Sequence, residues 1–412
     1  MLLFLKQYDV VSSSQHGFMS GRSTVTNLFQ CFDDWTRFLD LKCSLDVIYL
    51  DLEKAFDTVS HSKLIVKLRR LGLGAPLVNW LQDFLFGRRQ CVKVENSFSH
   101  YRPVISGIPQ GTILGPLLFL LYINDLPKVV KGMISLYADD SKLYQVTNSV
   151  SDCISLAEDV LNVQEYFSEW QLKLNIPTCG VLHMGSSGIE FPYRLNGFVT
   201  ESGETCRDLG ISVTSSLSVS SHCAKVFRLA SFRLRQFFKT FTCCDRDFLL
   251  FLYITYIRPL VESSTPIWNP YLLSDINKIE SVQRKFTKRL PGLRHFSYSE
   301  RLHQLKLCSL ETRRIHFDLI LMYKIVHQII DITFEKYFSY NTGSTRGHSL
   351  KLNVQYSRLD IRKYFFTNRV VRIWNFLAED IVLATSLYSF KKKIQNVDFN
   401  EFCRGRAHTA LD

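Results

Sequence analysis

No apolar stretch in this sequence is long enough to span a bilayer. The longest runs, Leu117–Ile123 and Phe248–Ile257, fall well short of the ~20 residues a membrane helix needs. The opening Met-Leu-Leu-Phe-Leu-Lys carries too short an apolar run for a secretory signal. Cysteines number 11, an odd count. They include no C-x-x-C pair and no Cys/His cluster at zinc spacing, only the adjacent Cys243 and Cys244. A disulfide framework is therefore not expected, and a reducing compartment is. Repeats and low-complexity tracts are also missing. These absences together lead us to expect a soluble, intracellular protein, in nucleus or cytoplasm alike, with no membrane partner.

What is present suits a packed globular chain. The 412 residues are 46% hydrophobic and 21% charged, and 31 Phe and 18 Tyr allow a large core. The length suggests two or three domains. The net charge of +12 is unevenly distributed. Residues 221–412 hold 31 Lys and Arg against 16 Asp and Glu, whereas residues 1–220 hold 19 against 22. A basic half beside a mildly acidic one fits a part that grips a polyanion joined to a part that holds cations.

The hydrophobic pattern supplies the elements. Val47–Asp51 reads as a buried strand with a carboxylate at its tip. Leu64, Ile65, Leu68 and Leu71 predict a helix over 62–71, stopped by Gly72 and Gly74. Pro76 opens a second helix over 76–86. Gly107, Pro109 and Gly111 form a turn before an apolar helix at about 112–124. Two β-rich runs, Ile134–Ala138 and Lys142–Val146, flank Asp139-Asp140-Ser141 and predict a tight hairpin. An amphipathic helix over 151–170 and a strand at Val181–Met184 follow. Strands interleaved with helices around an antiparallel hairpin indicate an α+β layer. Beyond a Ser-rich boundary near 215–222 the pattern is mainly helical: 223–242, 245–260, 274–290, 298–308 and 311–330. Residues 340–350 read as a loop, and the last sixty as a mixed basic segment.

Two adjacent carboxylates at a turn, Asp139 and Asp140, suit an ordinary solvated turn when taken alone. Asp51 alters that reading. If its strand lies beside the hairpin, three carboxylates converge on one sheet edge, the kind of oxygen-rich site that binds Mg²⁺ and leaves positions for substrate phosphates. Phosphoryl transfer uses two such ions about 3.5–4 Å apart.

The motifs around these acids resemble those of reverse transcriptases. Tyr137-Ala138-Asp139-Asp140 is similar to the family's Y/F-x-D-D signature. Asp51-Leu-Glu-Lys-Ala-Phe56-Asp57 is similar to the first palm motif in its non-LTR retrotransposon form. Ser106-Gly-Ile-Pro109-Gln110-Gly111-Thr-Ile-Leu-Gly115-Pro116 resembles the intervening G-x-P-Q-G-x-x-L-G-P block. Gln15-His16-Gly17-Phe18-Met-Ser-Gly21-Arg22-Ser-Thr resembles a block of the fingers. These four motifs stand in the family's order and cover roughly 15–215. Arg207-Asp-Leu209-Gly210 resembles the primer-grip turn. Stretches from Arg258 to Asn375 resemble, more loosely, the helical thumb and tail of jockey-like elements.

The resemblance implies an RNA-directed DNA polymerase that extends a DNA primer on an RNA template with dNTPs. It implies two Mg²⁺ ions, replaceable by Mn²⁺, held by Asp51, Asp139 and Asp140. Phe56 would be the steric gate that rejects a 2′-hydroxyl, which disfavours an RNA-templated RNA polymerase. Gln110 and Gly111 would line the nucleotide pocket, and Arg22 would contact template or phosphate. The basic helix with Lys278, Arg284, Lys285, Lys288 and Arg289 would grip the primer–template backbone. The implied architecture is a right-hand palm with a ferredoxin-like sheet and partial fingers over 1–215, a helical thumb-like basic domain over 216–335, and a basic C-terminal segment over 336–412.

Three departures accompany the match. The usual lysine of an L-N-x-x-K block is absent from Leu174-Asn175-Ile-Pro177-Thr178. The chain starts just before the Q-x-G-F block, without the preceding fingers strands. No endonuclease-like segment precedes it. An N-terminally truncated reading frame is therefore expected, and a catalytically inactive, nucleic-acid-binding remnant is the alternative.

Overall fold

The computed structural model describes residues 2–8, 10–186, 188–241, 245–341, 343 and 347–405. Cys243, Cys244 and part of the expected 340–350 loop lie outside these. The chain divides into two compact units, one of residues 1–27 and 41–206, the other of residues 28–40 and 207–412. This differs from the three segments expected from sequence. The break falls at residue 206 rather than 215, and 336–412 belongs with the preceding helices. Among the described residues no helix is long and apolar enough to cross a membrane.

After a short helix at Leu2–Gln7 comes a helix that the sequence reading did not give, α1 (Thr24–Asp40), which contributes to both units. The first unit is then built on strand β1 (Leu45–Leu50), whose six residues are all buried. Its run of β-branched and aromatic side chains suits a central strand. Helix α2 (His61–Arg70) buries Leu64, Ile65 and Leu68. Gly72 ends it with φ +79°, a left-handed stop that glycine makes without strain. Helix α3 (Ala75–Leu85) opens on Pro76. Helix α4 (Leu114–Tyr122) is almost wholly buried. Strands β2 (Met133–Tyr137) and β3 (Asp140–Val146) form the expected hairpin. Helix α5 (Val150–Glu169) starts in a capping box between Ser149 and Asp152, and strand β4 (Gly180–Met184) closes the unit.

The four strands form one antiparallel sheet in the order β2-β3-β1-β4. Hairpin between helices, with β1 and β4 adjacent, gives the βαββαβ arrangement of a ferredoxin-like fold. This is the α+β palm expected from sequence. Ile48, Leu50, Leu136 and Leu143 of the sheet share one core with Leu118, Phe119, Leu121, Val160 and Phe167 of α4 and α5.

A buried lysine lies against that core. Lys67 of α2 donates to the Tyr122 carbonyl, to Asp125 Oδ1 at 2.5 Å and to the Tyr166 hydroxyl at 2.9 Å. Its ammonium sits 3.6 Å from the Trp170 ring centroid. Burial lowers its pKa from 10.5 to about 8, with Asp125 opposing the shift. Removing one partner of such a buried pair costs roughly 3–5 kcal/mol, so Lys67→Ala should lower urea stability by about 3 kcal/mol. The sign with pH follows from the lowered value. Between about pH 8 and 10.5 the unfolded chain binds more protons at this site, so its contribution to stability rises with pH there. Denaturation of wild type and Lys67→Met across that range measures the difference.

The second unit is helical. Helix α6 (Ser220–Thr240) packs along α7 (Leu273–Arg289), with Phe237 and Phe286 in edge contact and Tyr253 stacked on Phe286 at 4.1 Å. The helix expected over 245–260 is interrupted. A π-turn at Tyr253–Ile257 separates Arg246–Leu252 from Arg258–Glu262. Glu280 of α7 is buried, and burial raises its pKa. It accepts from the Tyr298 hydroxyl and from the Leu310 and Glu311 amides, so it caps helix α8 (Leu310–Val326). The last sixty residues, expected to be mixed, contain helix α9 (Phe366–Phe376) and shorter helices. Two of their arginines face inward: Arg362 pairs with Asp33 at 2.6 Å, and Arg369 with Asp318 at 2.7 Å.

Candidate active site

The register of the sheet determines where the acids lie. Leu50 pairs with Ser141, so the next residue, Asp51, leaves the sheet beside the start of β3. Tyr137 pairs with Asp140 across a two-residue turn of Ala138 and Asp139. Acids from distant parts of the chain thus meet at one sheet edge. Burial is the main cause of the raised pKa at Asp139, and the negative charge of Asp51 adds to it. Asp140 is exposed. Among the described residues no three His, Cys, Asp or Glu side chains are gathered closely enough to enclose an ion. Asp51 stands near enough to Asp139 for its charge to act there. Carboxylate oxygens brought near one another in this way are donors that suit a hard divalent cation.

Asp51 is held from behind. Its Oδ2 accepts from Thr178 Oγ1 at 2.6 Å and Asn175 Nδ2 at 3.1 Å. Its carbonyl accepts from the Asn175 amide. Both donors belong to the block in which the lysine was missed. Thr178 occupies that lysine's place and directs its hydroxyl at Asp51. The sequence identified the position but not this role.

The hairpin turn is held by the segment before α1. Ser14–His16 bridges the edge strand β2 through Leu136. Gln15 Oε1 accepts from the amides of both Gly17 and Ala138, at 2.7 and 2.9 Å. Ala138 itself is left-handed, φ +57°. A Cβ on Gly17 would stand 2.4 Å from the Ala138 nitrogen. Arg22, expected to touch template or phosphate, donates from Nη1 to the carbonyls of Ser12, Ser13 and Gln15. Here it braces this segment.

The remaining expected residues lie close by in the same unit. The Phe56 ring is half-buried and stacks on Phe119 at 4.6 Å, with Phe18 edge-on at 6.4 Å. Its carbonyl accepts from the Ile108 amide, which joins the first palm motif to the Gln110–Gly111 block. Gln110, expected to donate to nucleotide, is exposed and donates to Asp57 Oδ1 at 2.9 Å. Gly111 has φ +74° with open space where a side chain would go. In the second unit, Lys285, Lys288 and Arg289 are exposed on α7. Lys278 lies 3.6 Å from Asp275, and Arg284 is half-buried over the Tyr298 ring. The sequence reading gave the helix of α6 but no role to its cations, and its exposed Lys225, Arg228, Arg235 and Lys239 extend this basic face. Lys285 and Arg289 of α7 rest on its Phe227 and Phe238. Those α6 cations recur at helical spacing, a signal present in the sequence.

Comparison with known proteins agrees with the motifs. The family described as reverse transcriptase (RNA-dependent DNA polymerase) matches residues 1–210. The chain belongs to the reverse transcriptase family. Its curated relatives include the probable RNA-directed DNA polymerase from transposon BS of Drosophila melanogaster, 26% identical over 72% of this chain and 34% of that protein. The RNA-directed DNA polymerase from mobile element jockey of the same species is 25% identical over 59% of this chain and 28% of its own. These relatives support the non-LTR assignment. The chain spans about a third of the length of the curated relatives it matches. Among solved structures, telomerase from Candida albicans aligns over 75% of this chain and 57% of its own, with 13% identity and a TM-score of 0.45. Reverse transcriptases as a family use divalent metal ions.

Proposed function

We propose that this chain is the polymerase portion of a non-LTR retrotransposon reverse transcriptase, which extends a DNA primer on an RNA template by adding dNTPs. The observation that carries the proposal is the strand register, which sets Asp51 and the turn of Asp139 at the same end of neighbouring strands although the two acids lie 88 positions apart. Asp51 and Asp139, with Asp140 at the start of β3, would hold two Mg²⁺ ions. Such ions supply activation of the primer 3′-hydroxyl and charge stabilisation on the departing pyrophosphate. The protein contributes rigidity. Thr178 and Asn175 fix one oxygen of Asp51, and Gln15 fixes the turn that carries Asp139. Phe56, backed by Phe119, would present its ring to the incoming sugar and reject a 2′-hydroxyl. The basic faces of α6 and α7 would grip the duplex backbone without reading sequence.

The test is extension of a DNA primer annealed to RNA, with Mg²⁺ and either dNTPs or rNTPs. Extension with dNTPs alone is expected. Binding of the hybrid without any extension would favour the inactive remnant, and equal use of rNTPs would remove Phe56 from its role. A finer prediction concerns Thr178. Loss of a group that orients a metal ligand weakens metal affinity by about 10–100-fold. Thr178→Val should therefore raise the Mg²⁺ concentration for half-maximal extension about tenfold, whereas Thr178→Ser should leave it near wild type.

A further inference from the structure

The second unit contains an open cleft of about 1070 Å³ that neither the motifs nor the proposed polymerase site uses. It lies between the starts of α7 and α8, the length of α9, and the segments 354–357 and 401–404. Its size is at the upper end of small-ligand sites, with room for more than one nucleotide.

Its lining is aromatic and cationic. Tyr271 and Tyr364 are stacked with ring centroids 4.8 Å apart and planes within 6°. The guanidinium of Arg404 sits 5.5 Å from the Tyr364 centroid, and the ammonium of Lys363 5.3 Å from it. Tyr356 is 90% exposed at the rim, with its ring open to an occupant. The acids of the cleft are mostly engaged. Asp318 is paired with Arg369, and both Glu311 oxygens accept backbone amides of Arg404 and Gly405. Lys363, Arg372 and Arg404 remain exposed against Glu401. Among the described residues neither Lys363 nor Arg372 has an ion-pair partner.

We infer that this cleft binds single-stranded nucleic acid. Flat rings on which bases stack, bordered by cations that follow a backbone, are the two elements of such sites. Bases would extend the Tyr271–Tyr364 ladder and cover Tyr356, while Lys363, Arg372 and Arg404 meet phosphates. An acidic peptide would be drawn by the cations but would leave the rings unused.

The experiment uses the full chain already saturated with unlabelled primer–template hybrid, so that the polymerase site is filled. Labelled oligo-U and oligo-dT are then titrated in separate arms, and binding is read by anisotropy. Binding in either arm is expected, and the ratio of the arms identifies RNA or DNA as the favoured strand. Loss of one stacked base or one phosphate contact should weaken it about tenfold, so Tyr356→Ala and Arg372→Glu should each show that loss. Both positions are exposed, and unchanged melting temperatures would establish that the variants fold. The inference is overturned if the saturated wild-type chain binds neither oligonucleotide, if both variants bind as wild type, or if polyglutamate displaces oligo-U at equal concentration.

Discussion

Asp139→Asn is expected to abolish primer extension and to leave the protein folded at least as stably as wild type. The first half follows from the donor set. Asparagine keeps the shape and one oxygen but removes the charge, and losing several kcal/mol of charge stabilisation slows a reaction by roughly a thousandfold or more. The second half follows from the environment. Burial and the charge of Asp51 raise the Asp139 pKa, so the ionised carboxylate opposes folding at neutral pH, and a neutral amide relieves that cost. Paired measurements separate catalysis from stability: extension rate on one hand, melting temperature with and without Mg²⁺ on the other. Wild type should gain stability on adding Mg²⁺, and the variant should gain little. A variant that extends primers at a tenth of the wild-type rate would remove Asp139 from the catalytic set.

The second large effect is expected from a single methyl group. In Gly17→Ala the new Cβ would meet the Ala138 nitrogen at 2.4 Å and its Cα at 3.0 Å. These are backbone atoms of the turn that carries Asp139, so no rotamer change relieves the overlap. The turn must move, and the two hydrogen bonds to Gln15 Oε1 move with it. Overpacking of this kind costs about 1–3 kcal/mol, which a domain of this size can tolerate. A displacement approaching 1 Å at reacting groups costs on the order of a hundredfold in rate. Gly17→Ala should therefore bind primer–template normally and extend it about a hundredfold more slowly. Adding Ala138→Gly should not restore the rate, because the closest contact is to the nitrogen.

Much of the palm was legible because its signals are local. Val47–Leu50 of β1 is a continuous apolar run, α2 has a clean stripe ended by Gly72, and the hairpin has two β-rich runs around a polar turn. Helix α1 went unread although its buried Leu28, Phe32, Trp35 and Leu39 recur at i, i+4, i+7 and i+11, a helical stripe present in the sequence; Asn27, Asp33 and Thr36, buried beside them, dilute it. Those polar groups are satisfied by partners far along the chain. Arg362, some 329 positions away, pairs with Asp33, and Ser135 accepts from Asn27. The same cause hid the order in the last sixty residues. Arg362 and Arg369 look like surface cations in the sequence and lie inside the second unit. At the site, the carboxylates could be found from their motifs. The support given by Thr178, Gln15 and Gly17 could not, because it depends on which backbone groups come within reach.

The bridge from Gln15 to Ala138 joins residues 123 positions apart. During synthesis the first of these leaves the ribosome long before its partner exists, and contacts of such separation close late. In a nascent chain that has already formed helices α2, α3 and α4, the turn at the acids is held only once the completed hairpin meets Gln15. The order of chain growth thereby makes the turn at Asp139 one of the last parts of the first unit to settle.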